Sequence, residues 1–239
     1  MLDLEVILTA QSVTDQQVEG RTVVVIDVLR ATSTMITAFS NHARAIVPVS
    51  SLEEAQHWQN KLGNDDCILC GEKDGLKIPG YHLGNSPQEF TKQAVGDKII
   101  VMNTTNGTKA ITNSKNADAI LIGSFLNAQS VIDAILKKGN AMTLVCSGWK
   151  ERLSLEDMLC AGLIIDRLLD IGSCVLNNDY AKITHATYQA YQENIPQAVK
   201  ESSHAMRLKS IAPVKDFEYC SQIDVQSIAP YVKNGMIIV

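Results

Sequence analysis

The 239-residue chain has no long uninterrupted apolar run. Charges break every hydrophobic stretch, so no segment reads as a transmembrane helix and no membrane partner is expected. A basic leader is missing too: Met1-Leu2-Asp3-Leu4-Glu5 is acidic where a signal peptide would be basic, so a cytoplasmic protein is expected. Positive charge is not in excess, since 26 Asp+Glu outnumber 21 Lys+Arg for a net charge of -5. That balance argues against nucleic acid as the main partner. Repeats of solenoid period and low-complexity linkers are lacking as well.

Several catalytic signatures are absent. The chain contains no Gly-x-x-x-x-Gly-Lys-Ser/Thr loop, no Gly-x-Ser-x-Gly elbow and no His-Glu-x-x-His pair. Leu29 stands two residues after Asp27, where phosphatases of the haloacid-dehalogenase type carry a second Asp. Cysteines number six, and without a secretory signal they are expected as free thiols. Cys67-Ile68-Leu69-Cys70 has the spacing of a redox or zinc pair, but its inner residues are aliphatic and no second pair completes a site. It reads as a buried strand whose cysteines act as small hydrophobes.

What is present is a globular pattern, 46% apolar, enough to exclude a disordered chain and to bury a sizeable core. Short apolar runs at Thr22–Val28, Ala45–Val49, Cys67–Cys70, Lys98–Met102, Ala119–Ile122, Met142–Cys146 and Met236–Val239 read as strands. Several are continuous Val/Ile/Leu stretches, as in strands buried on both faces. Helical periodicity covers Thr32–Asn41, Leu52–Lys61, Thr108–Ser114, Asn127–Lys137 and Leu155–Leu169, and Asp179–Glu193 follows with no obvious strand between. This alternation predicts a mainly parallel sheet with helices on both faces. Gly71–Glu89 breaks it with four glycines and two prolines, and a loop of that length either divides two lobes or folds over a site. A single domain over 1–239 is expected, with two intertwined lobes meeting near 71–95 as its variant.

Ligands of open α/β sheets bind beyond the carboxyl ends of the strands, so the residues following each run matter most. Val23-Val24-Val25-Ile26 leads into Asp27-Val28-Leu29-Arg30-Ala31-Thr32-Ser33-Thr34. A carboxylate, a guanidinium and three hydroxyls at a helix start suit an anion or a hard cation. The structural alternative is that Thr32 or Ser33 caps the helix while Asp27 pairs with Arg30. Ile99-Ile100-Val101-Met102 similarly leads into Asn103-Thr104-Thr105-Asn106-Gly107-Thr108, which alone is an ordinary Asn-Gly turn. After Thr143-Leu144-Val145-Cys146 come Trp149, Arg152 and Ser154-Leu155-Glu156-Asp157. There Ser154 and Asp157 resemble a capping box, or the two acids complete a magnesium site with Asp27. Glu72 is a further metal or base candidate, Asn85 and Ser86 read as turn residues, and a lone His204 is more often structural.

Together, Asp27 to Thr34, Gly84-Asn85-Ser86-Pro87 and Thr104 to Thr108 resemble the 2-phosphosulfolactate phosphatase (ComB) family. Glu156-Asp157 with Cys160-Ala161-Gly162, and Arg207-Leu208 with Asp224, extend the resemblance over almost the whole chain. It implies a three-layer α/β/α fold and a Mg2+-dependent phosphatase converting 2-phosphosulfolactate to 3-sulfolactate and phosphate. By the same resemblance Asp27 belongs to the catalytic and metal centre with Arg30, and Glu156, Asp157 and Glu72 are further metal candidates. Thr32, Ser33, Thr34, Thr104, Thr105, Asn106 and Gly107 would surround the phosphate, and Asn85, Arg152 and Arg207 would meet the rest of the substrate. The chain departs from the family where Ala205-Met206 separates His204 from Arg207 without a glycine.

Asp27 then either attacks phosphorus or holds the metal. A non-catalytic binder of phosphorylated metabolites is the alternative, and a nucleotide-dependent transferase is disfavoured by the missing nucleotide loop. A homodimer is the common prior for such enzymes.

Overall fold

The Val/Ile stretch of residues 22–26 is buried along its whole length, and its side chains part to opposite faces. Val24 and Ile26 join one core with Leu4, Val6, Leu144 and Cys146, while Val23 and Val25 join another with Ile7 and Val145. A strand clothed on both sides needs no polar alternation, which is why its sequence is a continuous apolar run. The computed structural model describes residues 1–63 and 65–239.

The strands are β1 Leu2–Ile7, β2 Thr22–Ile26, β3 Ala45–Val49, β4 Cys67–Lys73, β5 Leu76–Lys77, β6 Ile99–Asn103, β7 Ala119–Gly123, β8 Met142–Cys146, β9 Cys174–Leu176, β10 Tyr231–Lys233 and β11 Met236–Ile238. They form one mixed sheet in the order β5-β4-β6-β3-β11-β10-β7-β2-β8-β1-β9. Pairing is parallel within β4-β6-β3 and within β7-β2-β8-β1-β9. The β10-β11 hairpin joins these two blocks through antiparallel pairs to β7 and β3.

Helices pack on both faces. Leu155–Asp170, with Leu159, Leu163 and Ile164, and Ala128–Lys138, with Val131 and Ile135, cover the side that carries Val24 and Ile26. Ala31–Ser40 places Met35 and Ile36 against the other side. The result is the expected three-layer α/β arrangement.

Each run expected as a strand lies on a strand, though β2 stops at Ile26 and leaves Asp27 just beyond it. Four strands were not read: β1 is interrupted by Asp3 and Glu5, β9 and β10 are three residues each, and β5 is two. β9 fills the gap before Asp179–Tyr191 where no strand was expected. The Gly-rich stretch is only partly a loop, since β4 runs on to Lys73 and turns back through β5. Gly71 is required there, because a Cβ would fall 2.1 Å from the Asn103 carbonyl oxygen of β6. Cys67 and Cys70 are buried strand residues with free thiols, as expected.

Gly162 sits where Leu155–Asp170 meets Asp179–Tyr191, and a Cβ there would lie 2.3 Å from Tyr188 Cβ and 2.9 Å from the Thr184 carbonyl. Alanine in a helix normally gains about 1 kcal/mol over glycine. Here overpacking against backbone outweighs that gain, so Gly162→Ala is expected to destabilise the fold by about 1–3 kcal/mol in urea titrations. A neutral or stabilising result would show that the two helices separate freely.

Candidate active site

A cavity of about 360 Å³ opens where the chain leaves β2, β4, β6 and β8. Asp27 and Arg30 come from the first exit, Glu72, Asp74 and Gly75 from the second, Thr105, Asn106 and Lys109 from the third, and Trp149, Lys150 and Glu151 from the fourth. Asn85 joins them, and His204 with Arg207 reaches in from the short helix Ser203–Leu208.

Asp27 is 8% exposed, and one of its oxygens, Oδ1, accepts the Ala31 N–H at 3.1 Å. Its carboxylate thus holds the start of Ala31–Ser40 in the role a cap residue usually plays. No hydrogen bond among the described residues reaches Oδ2. Gly107 leaves room for that oxygen, since a Cβ there would meet Asp27 Oδ2 at 3.0 Å and Ala31 Cβ at 2.6 Å. Burial raises the Asp27 carboxyl to about 6, with Glu72 and Glu156 adding to the rise, while the Ala31 bond and His204 oppose it.

Asp157 stands behind Asp27, 3% exposed, with both oxygens engaged. Oδ1 accepts the Val28 N–H at 2.8 Å and Oδ2 the Gly148 N–H at 3.1 Å, so one carboxylate ties together the exits of β2 and β8. Burial first, then Asp27 and Glu156, push its carboxyl well above the usual range. The capping box expected of Ser154 and Asp157 does not form, because Asp157 serves these distant amides instead. Its neighbour Glu156 is fully buried, with Oε1 2.9 Å from His204 Nδ1 and Oε2 without any partner. Glu72 accepts the Thr105 N–H at 2.9 Å and the Gly75 N–H at 2.5 Å, so it too is held by backbone.

Arg30 does not pair with Asp27. Its Nη1 donates to Asp216 Oδ2 at 2.8 Å and its Nη2 to the Gly75 carbonyl at 3.1 Å, while Ser86 donates to Asp216 Oδ1 at 2.6 Å. Asp216, fully buried, gave no signal in sequence because its partners lie 130 and 186 residues away. Trp149 and the His204 ring stack at 5.5 Å and 8°. The Arg207 guanidinium lies 4.9 Å and the Lys150 ammonium 5.4 Å from the Trp149 ring centre.

The hydroxyl groups expected around a phosphate turn elsewhere. Thr32 and Ser33 donate to the carbonyls of Asp27 and Val28, and Thr34 to that of Asn85. Thr104 accepts the Thr108 N–H. All four are buried and lie outside the cavity lining, because side chains at a crowded helix start find backbone acceptors first. Thr105, Asn106, Asn85 and Arg207 do line the cavity, whereas Arg152 faces a neighbouring one. His204 is brought into the site by the fold, against the structural reading that a lone histidine invites. The cysteines are inert by comparison: burial raises Cys146 and Cys160 well above the thiol range and pushes Cys220 up to about 12.

A family model described as 2-phosphosulpholactate phosphatase matches residues 7–235. The chain belongs to that family. A Clostridium acetobutylicum relative named "Probable 2-phosphosulfolactate phosphatase" is 38% identical over 237 residues, covering 99% of this chain and all of the relative. Relatives of the same name in Clostridium beijerinckii, 35% identical over 99% of both chains, and Thermotoga maritima, 41% identical over 92% of this chain and 93% of the relative, agree with it. The match is therefore to whole proteins.

The magnesium ion implied by the family resemblance can be tested against the donors present. Among the described residues no group of three or more His, Cys, Asp or Glu is arranged to hold a metal. Of the four candidate carboxylates, Asp27 and Glu156 each keep one oxygen without a partner among the described residues, Oδ2 and Oε2. Magnesium takes one or two protein carboxylates and keeps several waters; Asp27 and Glu156 each keep an oxygen open for such a ligand role, whereas Glu72 and Asp157 are committed to backbone amides.

The raised Asp27 carboxyl has a consequence for stability. Its folded value of about 6 exceeds the ordinary 3.8, so the fold penalises the charged form. The favourable contribution is complete below 3.8 and is lost as pH rises through 6. In metal-free buffer with EDTA, Asp27→Asn should therefore stabilise the protein at pH 7.5, by about 1–3 kcal/mol, and confer no gain near pH 4. Thermal melts across this range test it; equal effects at both ends would refute the burial penalty.

Proposed function

We propose that this protein is a magnesium-dependent phosphatase that hydrolyses a small, acidic phosphate monoester, with 2-phosphosulfolactate the substrate suggested by its relatives' names. The observation that carries the reading is Asp27: a buried carboxylate at a strand exit, anchored through one oxygen, with the other unpaired in a cavity that also holds Arg30 and Lys109.

The charge balance explains the need for a cation. Arg30, Lys109, Lys150 and Arg207 line the cavity, but so do Asp27, Glu72, Asp74 and Glu151. Arg30 is further offset by Asp216. A doubly charged phosphate would meet little net attraction in such a site. Magnesium held by Asp27 and Glu156 would supply positive charge to the phosphate oxygens. Arg30, immobilised by Asp216 and Gly75, keeps a guanidinium in fixed orientation beside the phosphate, which costs no reorganisation during reaction. Lys109, one turn beyond Asn106, lines the same cavity and supplies a mobile charge. Arg207, held by the Asp74 carbonyl and lying over Trp149, faces the part of the substrate that does not react.

Purified protein should release phosphate from a panel of 2-phosphosulfolactate, phosphoglycolate and phosphoglycerates in the presence of magnesium, and lose this activity with EDTA. Asp27→Asn should lower kcat by about 10³-fold, the scale of removing a directly acting group. Lys109→Ala should instead raise KM. Binding of these compounds without turnover by any of them would favour the non-catalytic binder. Acid-quenched single turnovers separate the two roles of Asp27: a covalent aspartyl phosphate, trapped with hydroxylamine, forms only if that carboxylate attacks phosphorus.

A further inference from the structure

A second cavity, of about 330 Å³, lies against the other side of the wall that Trp149 and His204 form in the candidate active site. Arg152, Ser154, Leu155 and Glu201 are among its other lining residues, with Leu153, Ser202 and Ser203. It lies at the start of the 16-residue helix Leu155–Asp170, and the local chemistry there is unusual.

A serine at this position normally accepts an amide N–H from the first turn of its helix, and an acid three residues on reaches back to complete the cap. Neither occurs. Ser154 is 3% exposed, its side chain makes no cap bond, and its hydroxyl has no partner at all. Asp157 is turned inward to Val28 and Gly148, and Glu156 to His204. The amides of Leu155, Glu156 and Asp157 consequently find no acceptor among the described residues, the first internal bond being that of Met158 N–H to the Ser154 carbonyl. Donors therefore gather at one end of the cavity: the free Leu155 amide, an unpaired buried hydroxyl and the exposed guanidinium of Arg152. An anion is the ligand class that satisfies them together. The opposing acid, Glu201, already receives the side-chain amide of Gln197. Trp149 and Leu155 give the rest of the cavity an apolar surface.

We propose that this cavity is a second ligand site, built for a small organic acid whose oxoanionic end sits at Ser154 and the start of the Leu155–Asp170 helix. The site is separate from the one that carries Asp27, and the two share only Trp149 and His204. A ligand there touches the reverse of the active-site wall, so its occupancy is communicated through those two rings.

Inorganic phosphate, methanesulfonate and acetate, titrated separately into the full chain in EDTA, test the site without depending on turnover. Amide NMR shifts report Leu155 to Asp157 for the new site and Thr105 to Lys109 for the active site. At least one anion should move the first group along its own saturation curve at millimolar concentration. The three probes distinguish a phosphate ligand from a sulfonate or carboxylate one. In a Ser154→Ala/Arg152→Ala double variant that curve should weaken by about tenfold while the Thr105 to Lys109 curve stays unchanged. Ser154 makes no cap bond, so the variant should retain its fold, which circular dichroism checks. The proposal is overturned if no anion moves Leu155 to Asp157, or if their shifts follow the active-site curve and survive the double substitution.

Discussion

The site depends on one clamp, the Asp157 carboxylate between the amides of Val28 and Gly148. These amides stand just past the ends of two neighbouring parallel strands, where the ladder stops and their donors would otherwise be left unpaired in a dry interior. A carboxylate accepting two N–H groups answers that need, and charge-assisted bonds of this kind are among the stronger ones in proteins. Its cost is a buried negative charge close to two others, Asp27 and Glu156. Burial first, and neighbouring acids after it, lift both carboxyl groups: Glu72 and Glu156 act on Asp27, and Asp27 and Glu156 act on Asp157.

A second lock acts on the cation. Arg30 begins near Asp27 in sequence, yet it is drawn away by Asp216 and the Gly75 carbonyl. The consequence is that the strongest neighbour of Asp27 is an amide rather than a guanidinium, and one of its oxygens stays open. A direct Asp27–Arg30 pair would have satisfied both residues and taken up the Asp27 oxygen that stays open. Holding opposite charges side by side but apart is how a site keeps each available, and it requires a third residue to prevent collapse. Asp216 is that residue here.

Much of this was visible in the residues themselves. Continuous apolar runs marked the buried strands because their burial on both faces is a local property of composition. The segments after β2, β6 and β8 could be singled out because a parallel sheet delivers its strand ends to one rim. The edge and hairpin strands were harder: β9 and β10 exist through their partners, being too short to announce themselves. Hydroxyl groups misled in the opposite direction. Thr32, Ser33 and Thr34 look like a phosphate cradle in sequence, but at a buried helix start each has a carbonyl within reach, and those bonds take precedence. His204 and Asp216 were undervalued for a related reason, since a single titratable residue on a helix says nothing about what lies opposite.

The sequence by itself determined the α/β layering, the strands that form the centre and the turns on which chemistry would collect, because periodicity and strand ends are encoded within short stretches. Only the tertiary structure decided which carboxylates remain open and which are tied down. That choice rests on partners far along the chain: Val28 for Asp157, 129 residues apart, and Asp216 for Arg30, 186 residues apart. Hydrogen-bond competition is settled by whichever donor the fold brings within 3 Å, and spacing along the chain carries no record of that distance.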